Sequence, residues 1–171
     1  LQEKEISTEQ IKKIDASFKY NTEHIVPQSW FHQAEPMKGD LHHLFICHPS
    51  CNAKRSNFPY GDFDFYNPES ADEPVLNHCG MAIEERFEPE YGKGTIARAF
   101  AYFLLRYPKA ISKTKLKQVD VPLLARWHEA FPAGLYERHR NQAIYRIQGN
   151  RNPFIDDAGL MKRIIDCLGK M

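Results

Sequence analysis

Apolar residues recur at helical spacing mainly in the second half of the chain. Ile96, Ala97, Phe100, Phe103, Leu104 and Tyr107 fall on one face of a helix that opens after Gly94 and must stop at Pro108. Asp120 followed by Pro122 reads as the cap and first turn of another helix, with Leu123, Leu124 and Trp127 facing a core. Residues 113–119 predict a short helix and residues 135–147 a longer one, and Asp156 or Asp157 is expected to cap a last helix reaching Leu168. In the first half, Ser7 and Gln10 resemble a capping box ahead of Ile11 and Ile14. Residues 20–31 are rich in strand formers until Pro27 ends regular pairing. The alternation of Leu41, His43 and Phe45 predicts a second strand over residues 40–46, and Pro49-Ser50 open a helix through Cys51, Asn52, Lys54 and Arg55. Residues 57–91 carry Pro59, Pro68, Pro74 and Pro89 with few periodic runs and read mostly as loop. The expected class is α+β with helix dominant: a strand–strand–helix unit over about 20–60, then a helical lobe over about 92–171.

A length of 171 residues is enough for one domain, 1–171, to bury a core without staples. The longest apolar patch, Ala97 to Leu105, is interrupted by Arg98 and falls short of the roughly 18 residues a membrane span needs, so no membrane partner is expected. The first residues, Leu1-Gln2-Glu3-Lys4-Glu5, are polar and show no apolar signal segment, in a sequence that starts without Met. A net charge of +1 says little by itself, but the charge is unevenly spread. Between Asp62 and Glu90 nine acidic residues stand against the single Arg86; between Lys93 and Arg151 twelve Lys and Arg stand against Asp120, Glu129 and Glu137. Such a basic half would steer a phosphate backbone while the acidic half faces away. The plainer account is charge decorating solvated helix faces, and the sequence leaves both open.

The chemistry concentrates in three segments: Asn21 to Trp30, Gly39 to Leu44 and Asn52 to Asn57. They place a carboxylate, Glu23, beside an imidazole, His24, and later a side-chain amide, Asn52, on a helix. A hard cation such as Mg²⁺ takes oxygen ligands and keeps several waters, so Glu23 and the Asn52 amide oxygen form an adequate pair. His24, with an ordinary pKa of about 6.5, suits a general base that activates water. Adjacent strand residues point to opposite faces, so Glu23 and His24 reach one site only from a strand end, bulge or twist. The competing account is a surface carboxylate and a satisfied, half-buried histidine.

The stretches EHIVPQSW, GDLHHL, NAKRSN with the following FPYG, and the distant IQGNRNPF resemble, in order and spacing, the endonuclease I family of bacterial secreted and periplasmic nucleases. Gly94-Thr95-Ile96-Ala97-Arg98-Ala99 fits the helix that family places between them, and the resemblance runs from about Tyr20 to Phe154. It implies a ββα-metal (His-Me finger) core, with the base on His24 and the metal ligands on Glu23 and Asn52. It implies one divalent cation, Mg²⁺ with Mn²⁺ or Ca²⁺ as alternatives. The implied reaction is sugar-nonspecific cleavage of DNA, and often RNA, leaving 5′-phosphate and 3′-hydroxyl ends. Nucleic acid is the implied partner, read without sequence specificity by a monomer, and the implied location is extracellular or periplasmic.

Other residues divide between function and scaffold. Asp40, His42 and His43 either orient the site or pair strands and fill core. Gln148 and Asn150, in the Gln148-Gly149-Asn150 turn, either support the site or tie the helical lobe to it. No phosphate-clamping Arg is assigned, because residues 31–38 are too short for the insertion that carries it in some relatives; Arg55, Arg98 and Arg151 are the candidates. The four cysteines depart from the family. Cys47 and Cys51 with His78-Cys79 offer mixed zinc ligands, against which stand a Cys47–Cys51 or Cys51–Cys79 disulfide or plain buried thiols. The zinc reading supports a rival function, a non-catalytic zinc-stabilised nucleic-acid-binding module.

Overall fold

A computed structural model describes residues 7–9, 20–66 and 78–163. The capping box and first helix expected from Ser7 to Ile14 fall almost wholly outside these residues, as does the end of the expected last helix at Leu168.

Strand β1 (Asn21–His24) pairs antiparallel with β2 (Leu44–Cys47), Glu23 lying opposite Phe45 and His24 opposite Leu44. Helix α1 (Pro49–Arg55) follows, with Pro49 in its first turn, where a missing N–H costs nothing. The strand–strand–helix order is the one expected, but β2 begins later than the alternation suggested. Residues 41–43 form a 3₁₀ turn capped by Asp40, whose carboxylate accepts from the His42 backbone N–H at 2.9 Å. The alternation of Leu41 and His43 is that of a turn closing on the core.

Residues 57–91 are not simply loop. A hairpin, β3 (Gly80–Ile83) with β4 (Arg86–Pro89), occupies the end of this stretch. Its turn residues Glu84 and Glu85 both take positive φ, 47° and 58°, the conformation Asn-Gly usually supplies. Cys51 and Cys79 form a disulfide that ties α1 to the start of this hairpin.

Helix α2 (Lys93–Arg106) is the axis of the molecule. One side carries Ile96, Phe100 and Phe103 into a cluster with Ile25, Trp30 and Phe31 from the strand unit and Leu123 and Trp127 from α4 (Val121–Ala130). Its other side packs Ala101 and Tyr102 against Phe154 and Met161. Each large apolar side chain so enclosed contributes about 1.5–3 kcal/mol, so strand unit and helices are held by a common core. Gly94 is where α2 meets the end of α4; a side chain there would run into the Phe131 carbonyl. Next come α3 (Lys113–Leu116), α4 (Val121–Ala130), α5 (Leu135–Gln148) and α6 (Pro153–Asp156). The Asp120 carboxylate caps α4 at the Leu123 N–H, 2.9 Å, as its sequence predicts. Asp156 proves to be the last residue of α6, which is capped by Asn152 through the Phe154 N–H. Asp157, the other candidate, accepts from the Gly159 N–H at 2.9 Å just ahead of helical residues 160–163. The chain is α+β.

Candidate metal and general-base site

Glu23 and His24 leave β1 on opposite faces, as strand geometry requires. Glu23 turns towards α1. Its Oε1 lies 3.1 Å from the Arg55 Nε, an ion pair too misaligned for a hydrogen bond, so both atoms are buried without one. Burial pushes the Glu23 carboxyl up to about 7, and the nearby Arg55 charge only partly opposes it. Asn52, in the middle of α1, donates its Nδ2 to the Thr22 carbonyl at 3.3 Å, which leaves its oxygen as the group a cation would use. Glu23, Asn52 and Arg55 all line one cavity of about 260 Å³ between the strand unit and α2. Its walls are otherwise mainly apolar, and the exposed rings of Tyr91 and Tyr136 border it. A hard-cation site needs oxygens short of partners; Glu23 and Asn52 offer one carboxylate and one amide of that kind.

His24 sits at the last position of β1, the strand end that the sequence argument required, but its ring is not a wall of that cavity. It packs beside Phe31 and His43, with ring centroids 6.4 and 5.4 Å away. Nε2 lies 3.0 Å from the Lys38 carbonyl oxygen and Nδ1 3.2 Å from the Gln28 side-chain nitrogen. Burial lowers the His24 pKa, the Lys38 carbonyl partly restores it, and the Lys38 and Arg55 charges lower it further. The result is a neutral imidazole, the form a general base needs.

Asp40, His42, His43, Gln148 and Asn150 assemble behind this site. The Asp40 carboxylate accepts from Tyr102 and Tyr107 hydroxyls, at 2.7 and 2.8 Å, and from the Gln148 amide, at 2.8 Å. Gln148 also accepts from the Leu41 backbone N–H at 2.9 Å and donates to the Asn150 side chain at 2.8 Å. His42 donates to the Asn150 carbonyl and His43 to the Met37 carbonyl, at 3.0 and 2.7 Å. These residues tie the C-terminal end of α5 to the loop before β2. The sequence offers Tyr107 only as part of the apolar stripe of α2 and does not mark Tyr102; nothing local points to a partner that lies 62 or 67 residues from Asp40.

None of the three arginine candidates is a free cation. Arg98 is 2% exposed, grips Glu137 with two bonds of 2.7 Å and donates to the Phe131 carbonyl, so it is not presented to a phosphate. Arg55 is buried against Glu23 and donates to the Ile25 and Ser56 carbonyls, which makes it a brace of the unit, although it borders the cavity. Arg151 is partly exposed but paired twice with Asp156 and bonded to Gln142. The acidic stretch does not simply face away either, since Lys93 pairs with Glu88 and Asp62 across the two halves.

The zinc reading fails on bonding. Cys51 and Cys79 are joined to each other, and no group of three or more His, Cys, Asp or Glu side chains among the described residues is placed to hold a metal ion. Cys47 remains a free thiol on the cavity wall.

These features define a class: an α+β protein whose antiparallel strand pair and following helix carry an acid, an imidazole and a carboxamide. Within that class, the chain belongs to the endonuclease I family, whose model matches residues 2–159. It is 32% identical over 125 residues to a periplasmic deoxyribonuclease of Aeromonas hydrophila, covering 70% of this chain and 48% of the relative. It is 31% identical to an extracellular deoxyribonuclease of the same species, covering 70% and 50%. An endonuclease-1 of Buchnera aphidicola subsp. Baizongia pistaciae (strain Bp) is 30% identical, covering 71% and 47%. The chain thus spans about half the length of the curated relatives it matches.

Proposed function

We propose that this protein is a metal-dependent, sugar-nonspecific endonuclease that hydrolyses phosphodiester bonds of DNA and RNA to 5′-phosphate and 3′-hydroxyl ends. The observation that carries this reading is the Glu23 carboxylate: buried, short of hydrogen bonds, and sharing a cavity wall with Asn52 one residue from a neutral imidazole. Membership of a family with deoxyribonucleases among its relatives supports it. In this reading Glu23 and the Asn52 amide oxygen hold one divalent cation, Mg²⁺ first and Mn²⁺ or Ca²⁺ as alternatives, in a ββα-metal core. A cation bound there supplies positive charge against the negative charge that grows on the phosphate and on the departing 3′ oxygen. His24 takes a proton from water through Nδ1 as the water oxygen attacks phosphorus in line. Lys38, through its carbonyl, keeps the ring in the tautomer that leaves Nδ1 basic. Tyr91 and Tyr136 give the cavity mouth flat faces for the sugar and base flanking the cleaved bond.

One chain supplies all three groups, so a monomer suffices. The disulfide, and relatives named periplasmic and extracellular, support a location outside the cytoplasm. No described helix is long and apolar enough to cross a membrane. Circular plasmid and RNA incubated with the protein and Mg²⁺, Mn²⁺, Ca²⁺ or EDTA test the proposal on a gel. Nicking and then linearisation of plasmid with a cation, and none in EDTA, is expected. Cleavage that persists in EDTA, or none with any cation, would overturn it.

A further inference from the structure

Both nitrogens of the His24 ring have partners, and together these fix where its proton sits. A carbonyl oxygen only accepts, so the contact to Lys38 at 3.0 Å places the proton on Nε2. The lone pair is then on Nδ1, and the group 3.2 Å from it must be a donor: the Gln28 carboxamide presents its NH₂. Gln28 is well placed to do this. It opens the 3₁₀ turn that follows Pro27, and its carbonyl accepts backbone bonds from Phe31 and Gln33, at 3.3 and 3.0 Å. Among the described residues, no other hydrogen bond engages its carboxamide.

We infer that Gln28 is a positioning residue for the general base. Its amide holds the ring with the Nδ1 lone pair aimed at the place the attacking water must occupy, and gives way to that water when a phosphodiester is in place. The inference rests on the proposed hydrolysis with His24 as base. As the water oxygen bonds to phosphorus, its proton passes to Nδ1. The bond from phosphorus to the 3′ oxygen breaks, and that oxygen leaves with the electron pair and is protonated by solvent. The imidazolium returns its extra proton to solvent. Gln28 neither gains nor loses a proton.

A double-mutant cycle on the full chain tests this, using single-turnover cleavage of supercoiled plasmid with Mg²⁺ and protein in excess. Gln28→Ala is expected to slow cleavage about tenfold at saturating protein while the protein concentration giving half the maximal rate is unchanged, because a misdirected base loses rate rather than affinity. In the His24→Ala background the same substitution should change nothing. Gln28→Glu, of the same shape but without a donor for the lone pair, should not restore the rate. Equal activity of Gln28→Ala and the unsubstituted protein, or an equal loss in both backgrounds, would overturn the inference. So would an Nδ1–H tautomer in the nitrogen NMR spectrum of the wild-type ring, a reading independent of any variant's folding. A His24→Ala protein as active as the wild type would instead overturn the base assignment itself, without reference to Gln28.

Discussion

Two carboxylates, Glu23 and Asp40, lie in the same strand–strand–helix unit and are treated in opposite ways. Burial pushes both up. At Asp40, bonds from Gln148, Tyr102, the His42 backbone and Tyr107 outweigh burial and hold the carboxyl below the usual range. At Glu23 there is one misaligned guanidinium, and the carboxyl stays up at about 7. A buried charge with all its partners is scaffold; a buried charge short of partners is unfavourable unless something else binds it. The contrast separates the ligand-binding face of the unit from the knot that holds that face in place.

The largest effect should come from the His24 imidazole, next to Glu23 in sequence but on the opposite face of β1. His24→Ala is expected to lower turnover by about 10² to 10⁴ while the melting temperature stays near wild type. Glu23→Ala and Asn52→Ala should instead raise the cation concentration needed for half-maximal cleavage. Loss of equal size, unaltered by added cation, in all three would erase the division of roles. The knot should answer differently. Asp40→Ala removes the acceptor of two tyrosine hydroxyls and of one Gln148 N–H and should cost about 1–3 kcal/mol for each donor left buried without a partner, read by urea unfolding. Below its unfolding transition that variant should still cleave. A stable but inactive Asp40→Ala protein would place the carboxylate in the chemistry and break the comparison.

What was legible in the sequence was local. Asp120 caps α4 three residues away, Pro49 opens α1, and the apolar stripe of α2 follows from its spacing. Glu23, His24 and Asn52 stood out by residue type and motif. What was not legible depends on distance or on residues acting out of character. The β3–β4 hairpin turns on two glutamates with positive φ, so it carried no turn signal. The strand expected from Asp40 becomes a 3₁₀ turn where its carboxylate is drawn to tyrosines on and just beyond α2. Arg98 looked like a cation for phosphate because its partner, Glu137, lies 39 residues on. Gln28 lies within the EHIVPQSW segment, yet nothing in its type assigns it to the ring four residues before it.

His43 stands between the two regions, its ring against that of His24 and its backbone N–H on the Asp40 carbonyl. It offers the subtlest test of how the unit handles charge. Burial lowers its pKa to about 4, the Met37 carbonyl restoring only part, whereas in the unfolded chain it titrates near 6.5. The unfolded chain therefore takes up a proton on this ring before the folded protein does. The neutral ring contributes stability that is present above 6.5 and lost as pH falls from there towards 4, at about 1.4 kcal/mol per pH unit. Glu88, raised to about 7 mainly by burial, acts in the other direction: its contribution is present below the ordinary carboxylate range and lost as pH rises through 7. The wild-type curve mixes these with other shifted groups, Glu23 and His24 among them, so the informative quantity is the difference between wild type and His43→Gln, which removes the titrating ring and leaves the others in place. Urea unfolding at pH 7.5, 6 and 5 should show a difference that is constant above 6.5 and shifts in favour of the variant as pH falls. A difference that stays constant down to pH 5 would mean that the folded protein accommodates a charged ring at position 43. The interior beside the base would then be as tolerant of charge as the open face, and the contrast between the two regions would be lost.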